Sequence, residues 1–149
     1  MGLFQRIFHR EFQDCDEPGY RPNRASRRAL REVRRYERGE IELEPLDTIV
    51  SENRSSSLYT VVATSRFKKD LRRMEKRGED TTLLFRAIDI LKNGGVLPPS
   101  YGDHALTGNW SGHRECHIRP DWLFIYSIDD GELILKAIRT GSHNDLFKK

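Results

Sequence analysis

Three of the chain's five histidines and both of its tryptophans fall within twenty residues, DHALTGNWSGHRECHIRPDW (103–122). If Gly112 to Ile118 is extended, alternation sends His113, Glu115 and His117 to one side and Arg114 and Cys116 to the other. Three chemistries could use such a cluster. Metal binding could draw on His117, Asp121 and His143, but there is no HExxH and no tight ligand spacing. Nucleophilic attack by Cys116 fits poorly, because alternation turns it away from His117 and a small buried residue is the simpler reading. The third is cleavage of an RNA backbone. A base takes the 2′-hydroxyl proton, the oxygen attacks the adjacent phosphorus, a cation such as Arg139 stabilises the nonbridging oxygens, and an acid protonates the departing 5′ oxygen. Histidine suits both proton transfers near neutral pH, arginine suits phosphate, and Trp122 or Phe147 could stack on a base. Each residue also has a plain structural role open to it: His104 in a loop, His113 exposed, both tryptophans in packing, Arg139 in an ion pair.

The elements that must position these groups can be read from pattern. Asn23 is placed to cap a helix over Arg24 to Arg38, with Ala29, Leu30, Val33 and Tyr36 as a narrow apolar stripe and Gly39 at its stop. That stripe needs another surface to cover it. EIELEPLDTIV suggests a short extended piece broken by Pro45, and SENRSSS (51–57) a linker, so a domain boundary is expected there. LYTVVAT then predicts a strand. Two helices follow: one capped by Thr64 or Ser65 with Phe67, Leu71 and Met74 on one face, the other starting near Asp80 to Thr82 and ending at NGG (93–95). Strands are expected at about Trp110 to Ile118, Trp122 to Ile128 and Leu133 to Thr140, the last two joined at DDG. The sum is an α+β unit, two helices on a mainly antiparallel four-stranded sheet, with an N-terminal helical extension. A His-Glu-His face cannot be buried cheaply against apolar helices, so it is expected on the sheet's open face or at its edge.

Composition narrows the setting. The 149 residues suit one domain with an appendage, and no apolar run approaches the length of a membrane span. Neither a secretory signal pattern nor a CxxC is present, so a cytoplasmic protein with free thiols at Cys15 and Cys116 is expected. Residues 1–57 carry 11 basic and 11 acidic side chains and residues 58–149 carry 15 and 12, which places the net charge of +3 in the second part. There, Lys68, Lys69, Arg72, Arg73, Lys76 and Arg77 form either a solvated helix face or a phosphate-contacting ridge.

DHALTGNWSGHRECHIRPDWLFIY (103–126) and RTGSHNDLF (139–147) resemble the YafQ branch of the RelE/ParE superfamily, toxins of bacterial type II toxin–antitoxin systems, over residues 58–149. The resemblance implies a metal-independent messenger-RNA endonuclease acting in the ribosomal A site, without a cofactor. It carries functional roles to His104, Glu115, His117, Asp121, Trp122, Arg139, His143 and Phe147, with His143 as general acid, and with His104 and His117 in proton transfer or phosphate positioning. Glu115 and Asp121 would orient or tune the imidazoles. The basic face of Lys68, Lys69, Arg72, Arg73 and Lys76 would meet ribosomal RNA. A cognate antitoxin is the implied protein partner, with operator DNA touched only through it. Residues 1–57 lie outside the resemblance and are weakly similar to the toxin-wrapping segment of a RelB/DinJ-like antitoxin. They could restrain the toxin domain in cis, anchor a separate antitoxin, or do neither. Two other readings stay open: a toxin-like module that binds antitoxin without catalysis, and a gyrase-directed ParE-like toxin, which would not need this histidine set.

Overall fold

The computed structural model describes residues 21–46 and 57–147, so most of the expected linker at 51–57 lies outside the described residues. The chain runs α1 (Arg24–Glu37), β1 (Glu44–Pro45), β2 (Thr60–Ala63), α2 (Ser65–Lys76), α3 (Thr81–Lys92), β3 (His104–Ala105), β4 (Arg114–Arg119), β5 (Trp122–Asp129), β6 (Ile134–Gly141) and α4 (His143–Phe147). Each of the three long helices starts at a polar cap. The Asn23, Thr64 and Asp80 side chains accept hydrogen bonds from the backbone N–H of Ser26, Phe67 and Thr82 respectively. Gly39 and Gly78, both at positive φ, follow the first two helix ends.

The strands form one mixed sheet in the order β1-β2-β6-β5-β4-β3. Only β2 and β6 are parallel; the other pairs are antiparallel. The expected α+β architecture is present, with β1 and β3 added as two-residue edge strands. Trp110 was expected to open a strand but closes a 3-10 turn, Gly108–Trp110, where Gly108 and Gly112 take positive φ that a strand residue does not adopt.

Each face of the sheet has its own core. On one, Val61, Ala63, Cys116, Phe124, Tyr126, Leu135 and Ala137 pack against Phe67 and Met74 of α2 and Leu84, Ala87, Ile88 and Leu91 of α3. On the other, Leu123, Ile125 and Ile138 are covered by Ala29, Leu30 and Val33 of α1, by Leu146 and Phe147 of α4, and by Leu106 and Trp110. The expectation of an open second face is therefore corrected. The narrow stripe that needed a surface and the sheet face that lacked a cover are the two halves of one core. Burial of Leu30 and Val33 stabilises this docking by about 1.5–3 kcal/mol each. Polar bonds fix its register: Ser26 Oγ donates to the Leu146 carbonyl at 2.7 Å and Asn23 Nδ2 to the Asp145 carbonyl at 2.8 Å.

Candidate active site

The alternation read at Gly112 to Ile118 places the side chains as expected. Cys116 is opposite Phe124 in the α2/α3 core, while Glu115 and His117 are opposite Ile125 and Leu123 and so share the α1 face. Edge strand β3 pairs His104 with Glu115, bringing His104 Nε2 to 3.8 Å from Glu115 Oε1. His104 Nδ1 donates to the Gly102 carbonyl at 2.9 Å. Burial lowers the His104 pKa, so we regard the 3.8 Å approach as polar contact with a neutral ring rather than as a formed ion pair. Asp103 anchors this edge, receiving hydrogen bonds from Arg114 (Nη2 to Oδ2, 2.8 Å) and from the Tyr126 hydroxyl.

α4 follows β6 directly, its first residue His143 bonds to Asp121 in the β4–β5 turn, and the His143 and His117 ring centroids are 6.2 Å apart. His143 Nδ1 donates to Asp121 Oδ1 at 3.0 Å, and the same oxygen accepts the His143 backbone N–H at 3.2 Å. Asp121 thereby fixes the orientation of the His143 ring. The two histidines differ in environment: His143 keeps 28% of its side-chain surface and Asp121 keeps 73%, whereas His117 is 3% exposed. Burial first, and then the charge of His143, push the His117 pKa down to about 4, so it is neutral at pH 7.

The structure thus brings His104, Glu115, His117, Asp121 and His143 to one flank of the sheet. Three other expected residues are placed differently. Arg139 was expected to meet phosphate, but it is fully buried. Its Nε and Nη2 each donate to an Asp70 oxygen at 2.8 Å, and Nη1 donates to Ser26 Oγ at 2.8 Å. The register shifts beside it: Ile125 pairs with Arg139 but Tyr126 with Ala137, leaving Ile138 as the extra residue. Trp122 was expected to stack on a base, but it is 1% exposed and its Nε1 donates to Thr140 Oγ1 at 2.9 Å. Phe147 is also buried; its ring meets Trp110 and His143 at centroid distances of 6.0 and 6.1 Å and joins the histidines to the apolar core.

On α2, Lys69, Arg72 and Lys76 are exposed, while Lys68 pairs with Glu44 and Arg73 with Asp70. Among the described residues no group of three or more His, Cys, Asp and Glu side chains could hold a metal ion. No described helix is long and apolar enough to cross a membrane.

Three residues of this frame escaped the sequence reading, Asp70, Asp145 and Ser26, and Asn23 was read only as a helix cap. Asp145 accepts Arg77 Nη1 at 2.6 Å and the Ser142 N–H at 2.9 Å. Burial alone would raise the Asp145 carboxyl, but these bonds and the nearby Arg73 outweigh it and hold the group below its usual range. Asp70 had a detectable signal. It follows Phe67 by three and precedes Met74 by four, so it is a carboxylate on the apolar stripe of a basic helix.

A family model for the bacterial toxin of type II toxin–antitoxin system YafQ matches residues 59–148, leaving α1 and β1 outside it. The mRNA interferase toxin YafQ of Escherichia coli K12 is 38% identical over 85 residues, 56% of this chain and 90% of that protein. Two solved structures show the same fold. The E. coli DinJ–YafQ toxin–antitoxin complex gives a TM-score of 0.56 at 35% identity, over 60% of this chain and 98% of the matched chain. A metal-bound toxin from Helicobacter pylori gives 0.56 at 39% identity, over 58% and 97%.

Proposed function

The chain belongs to the YafQ family of bacterial toxins of type II toxin–antitoxin systems, and from that premise we propose that it is an endoribonuclease that cleaves messenger RNA on the translating ribosome. The E. coli relative is an mRNA interferase toxin, and its complex with DinJ supports a protein antitoxin as partner here. The observation that carries the reading is the His117–His143–Asp121 arrangement, two imidazoles in unlike environments and one of them aligned by a carboxylate.

His117, neutral at pH 7, takes the proton of the 2′-hydroxyl. The freed oxygen attacks phosphorus, and the bond to the 5′ oxygen breaks. Protonated His143 gives the Nε2 proton to that oxygen, and Asp121 stabilises the imidazolium before transfer. His143, the more exposed ring, meets RNA first. His104 and Glu115 tune the field along β4. Arg139 acts as a positioning residue, because its three bonds tie β6 to α2 and to α1. The exposed Lys69, Arg72 and Lys76 face ribosomal RNA.

The burial of His117, Arg139 and Trp122 favours a second reading, a toxin-like module that binds antitoxin without cutting. Cleavage of a defined message on translating ribosomes separates the two. We expect cutting by the full chain, a loss of about 10²–10⁴ in rate for His143→Ala, and no change on adding a chelator selective for transition metals. The chelator arm matters because the H. pylori relative is metal-bound. Intact message in the presence of folded, ribosome-bound protein would favour the binding module.

A further inference from the structure

Helix α1 lies outside the part of the chain that matches the toxin family, yet six of its fourteen residues are arginine. Arg24, Arg27, Arg28, Arg31, Arg34 and Arg35 lie within Arg24–Glu37, Arg38 follows, and all seven are exposed. The helix has only two acidic residues, and both bond to the body of the protein. Glu32 accepts the Ser65 N–H at 2.9 Å and the Ser65 hydroxyl at 2.8 Å, and Glu37 pairs with the buried Lys136 at 3.1 Å. Arg35 and Arg38 are matched by Glu40. Arg24, Arg27, Arg28, Arg31 and Arg34 form no ion pair among the described residues, and their spacing sets them in a stripe of about 15 Å along the helix.

We infer that this arginine stripe is a binding surface for the phosphate backbone of RNA. Every cation on it is arginine, whose planar fork grips phosphate in two-pronged fashion and is only weakly hydrated. The surface is not flat. A cleft of about 480 Å³ opens between α1 and the start of α2, with Arg28 and Arg31 of the stripe on its walls together with Glu32 and the Glu40-paired Arg35. Across that junction Arg28 is close enough to act on Arg66, so positive charge continues from α1 onto α2, whose Lys69, Arg72 and Lys76 are exposed. At its N-terminal end the stripe starts beside the two bonds that tie α1 to α4, the helix that carries His143. A membrane surface is a poor match, because the apolar side of α1 is already seated on the sheet and offers nothing to insert among lipid chains. The choice of RNA over DNA rests on the ribonuclease reading above; the choice of a phosphate backbone does not.

The test uses the full chain carrying His143→Ala, so that RNA stays intact and loss of cleavage cannot be mistaken for loss of binding. Affinity is measured over a salt series for a 20-base-pair RNA duplex, a DNA duplex of the same sequence and anionic phospholipid vesicles. The comparison variant replaces Arg24, Arg27, Arg28, Arg31 and Arg34 by glutamine, positions exposed enough that circular dichroism and Tm should hold. The expected result is tightest binding to the RNA duplex, a rise in Kd on the order of 100-fold in the variant, and a salt slope shallower by about 4. A Kd and slope unchanged by the five substitutions would overturn the inference, as would tighter binding to DNA or to vesicles. Substituting Arg35 and Arg38 instead, both already matched by Glu40, is expected to move Kd far less; an equal effect would show that general charge, not this stripe, governs binding.

Discussion

The buried pair Asp70–Arg139 gives a stability prediction whose order, as well as size, comes from the structure. Neither side chain is exposed, and two bonds of 2.8 Å join them. Taking one partner away leaves the other charged in the interior, which costs about 3–5 kcal/mol, against a total stability of about 5–15 kcal/mol for a domain of ordinary size. The two losses are not equal. Without Asp70, Arg139 stays buried with Arg66 and Arg73 close to the same spot, three cations around a missing anion. Without Arg139, Asp70 still has Arg66 and Arg73. Asp70→Leu is therefore expected at the top of that range and Arg139→Met at the bottom or below it. The double variant removes both charges, so it should cost less than Asp70→Leu alone. Urea unfolding at pH 7, followed by circular dichroism, measures all three. Costs that simply add, or an Asp70→Leu variant within about 1 kcal/mol of wild type, would refute the reasoning.

His117 gives the fold an acid sensitivity of its own. Its pKa is near 4 in the folded protein against about 6.5 unfolded, so protons bind the unfolded chain better, and the stabilisation present above pH 6.5 is lost as pH falls towards 4. The loss attributable to this residue is roughly 3 kcal/mol, and His117→Gln should lose that much less between pH 7 and pH 4; identical pH profiles would refute it. A carboxylate placed under α1 tests what that helix does. Val33→Asp should detach α1 from Leu123, Ile125 and Ile138, expose the sheet face to a hydrophobic dye, and lower message cleavage, because Asn23 and Ser26 fasten the α4 backbone. Faster cleavage by the variant would instead make α1 a restraint on the site.

Local chemistry made much of this legible before any fold was known. Caps at Asn23, Thr64 and Asp80 and the alternation that separates Cys116 from His117 depend on neighbours a few residues away. The cover over the second sheet face did not, since it joins residues near 30 to residues near 125 and 146. Arg139 and Trp122 were misplaced for a related reason. Their residue types suit phosphate and bases, but the partners Asp70 and Thr140, distant in sequence, hold them inward. Asp70 shows that an inward arginine can still be anticipated, from a lone acid on an apolar stripe.

The bonds from Asn23 and Ser26 to the backbone of Asp145 and Leu146 span 122 and 120 residues, nearly the whole chain. At a synthesis rate of about 5–20 residues per second, α1 emerges some 6–25 s before the strand and helix it must dock on. During that interval the apolar stripe of α1 has no surface to cover it. Docking of α1 and anchoring of α4 therefore complete together, as one late step of folding.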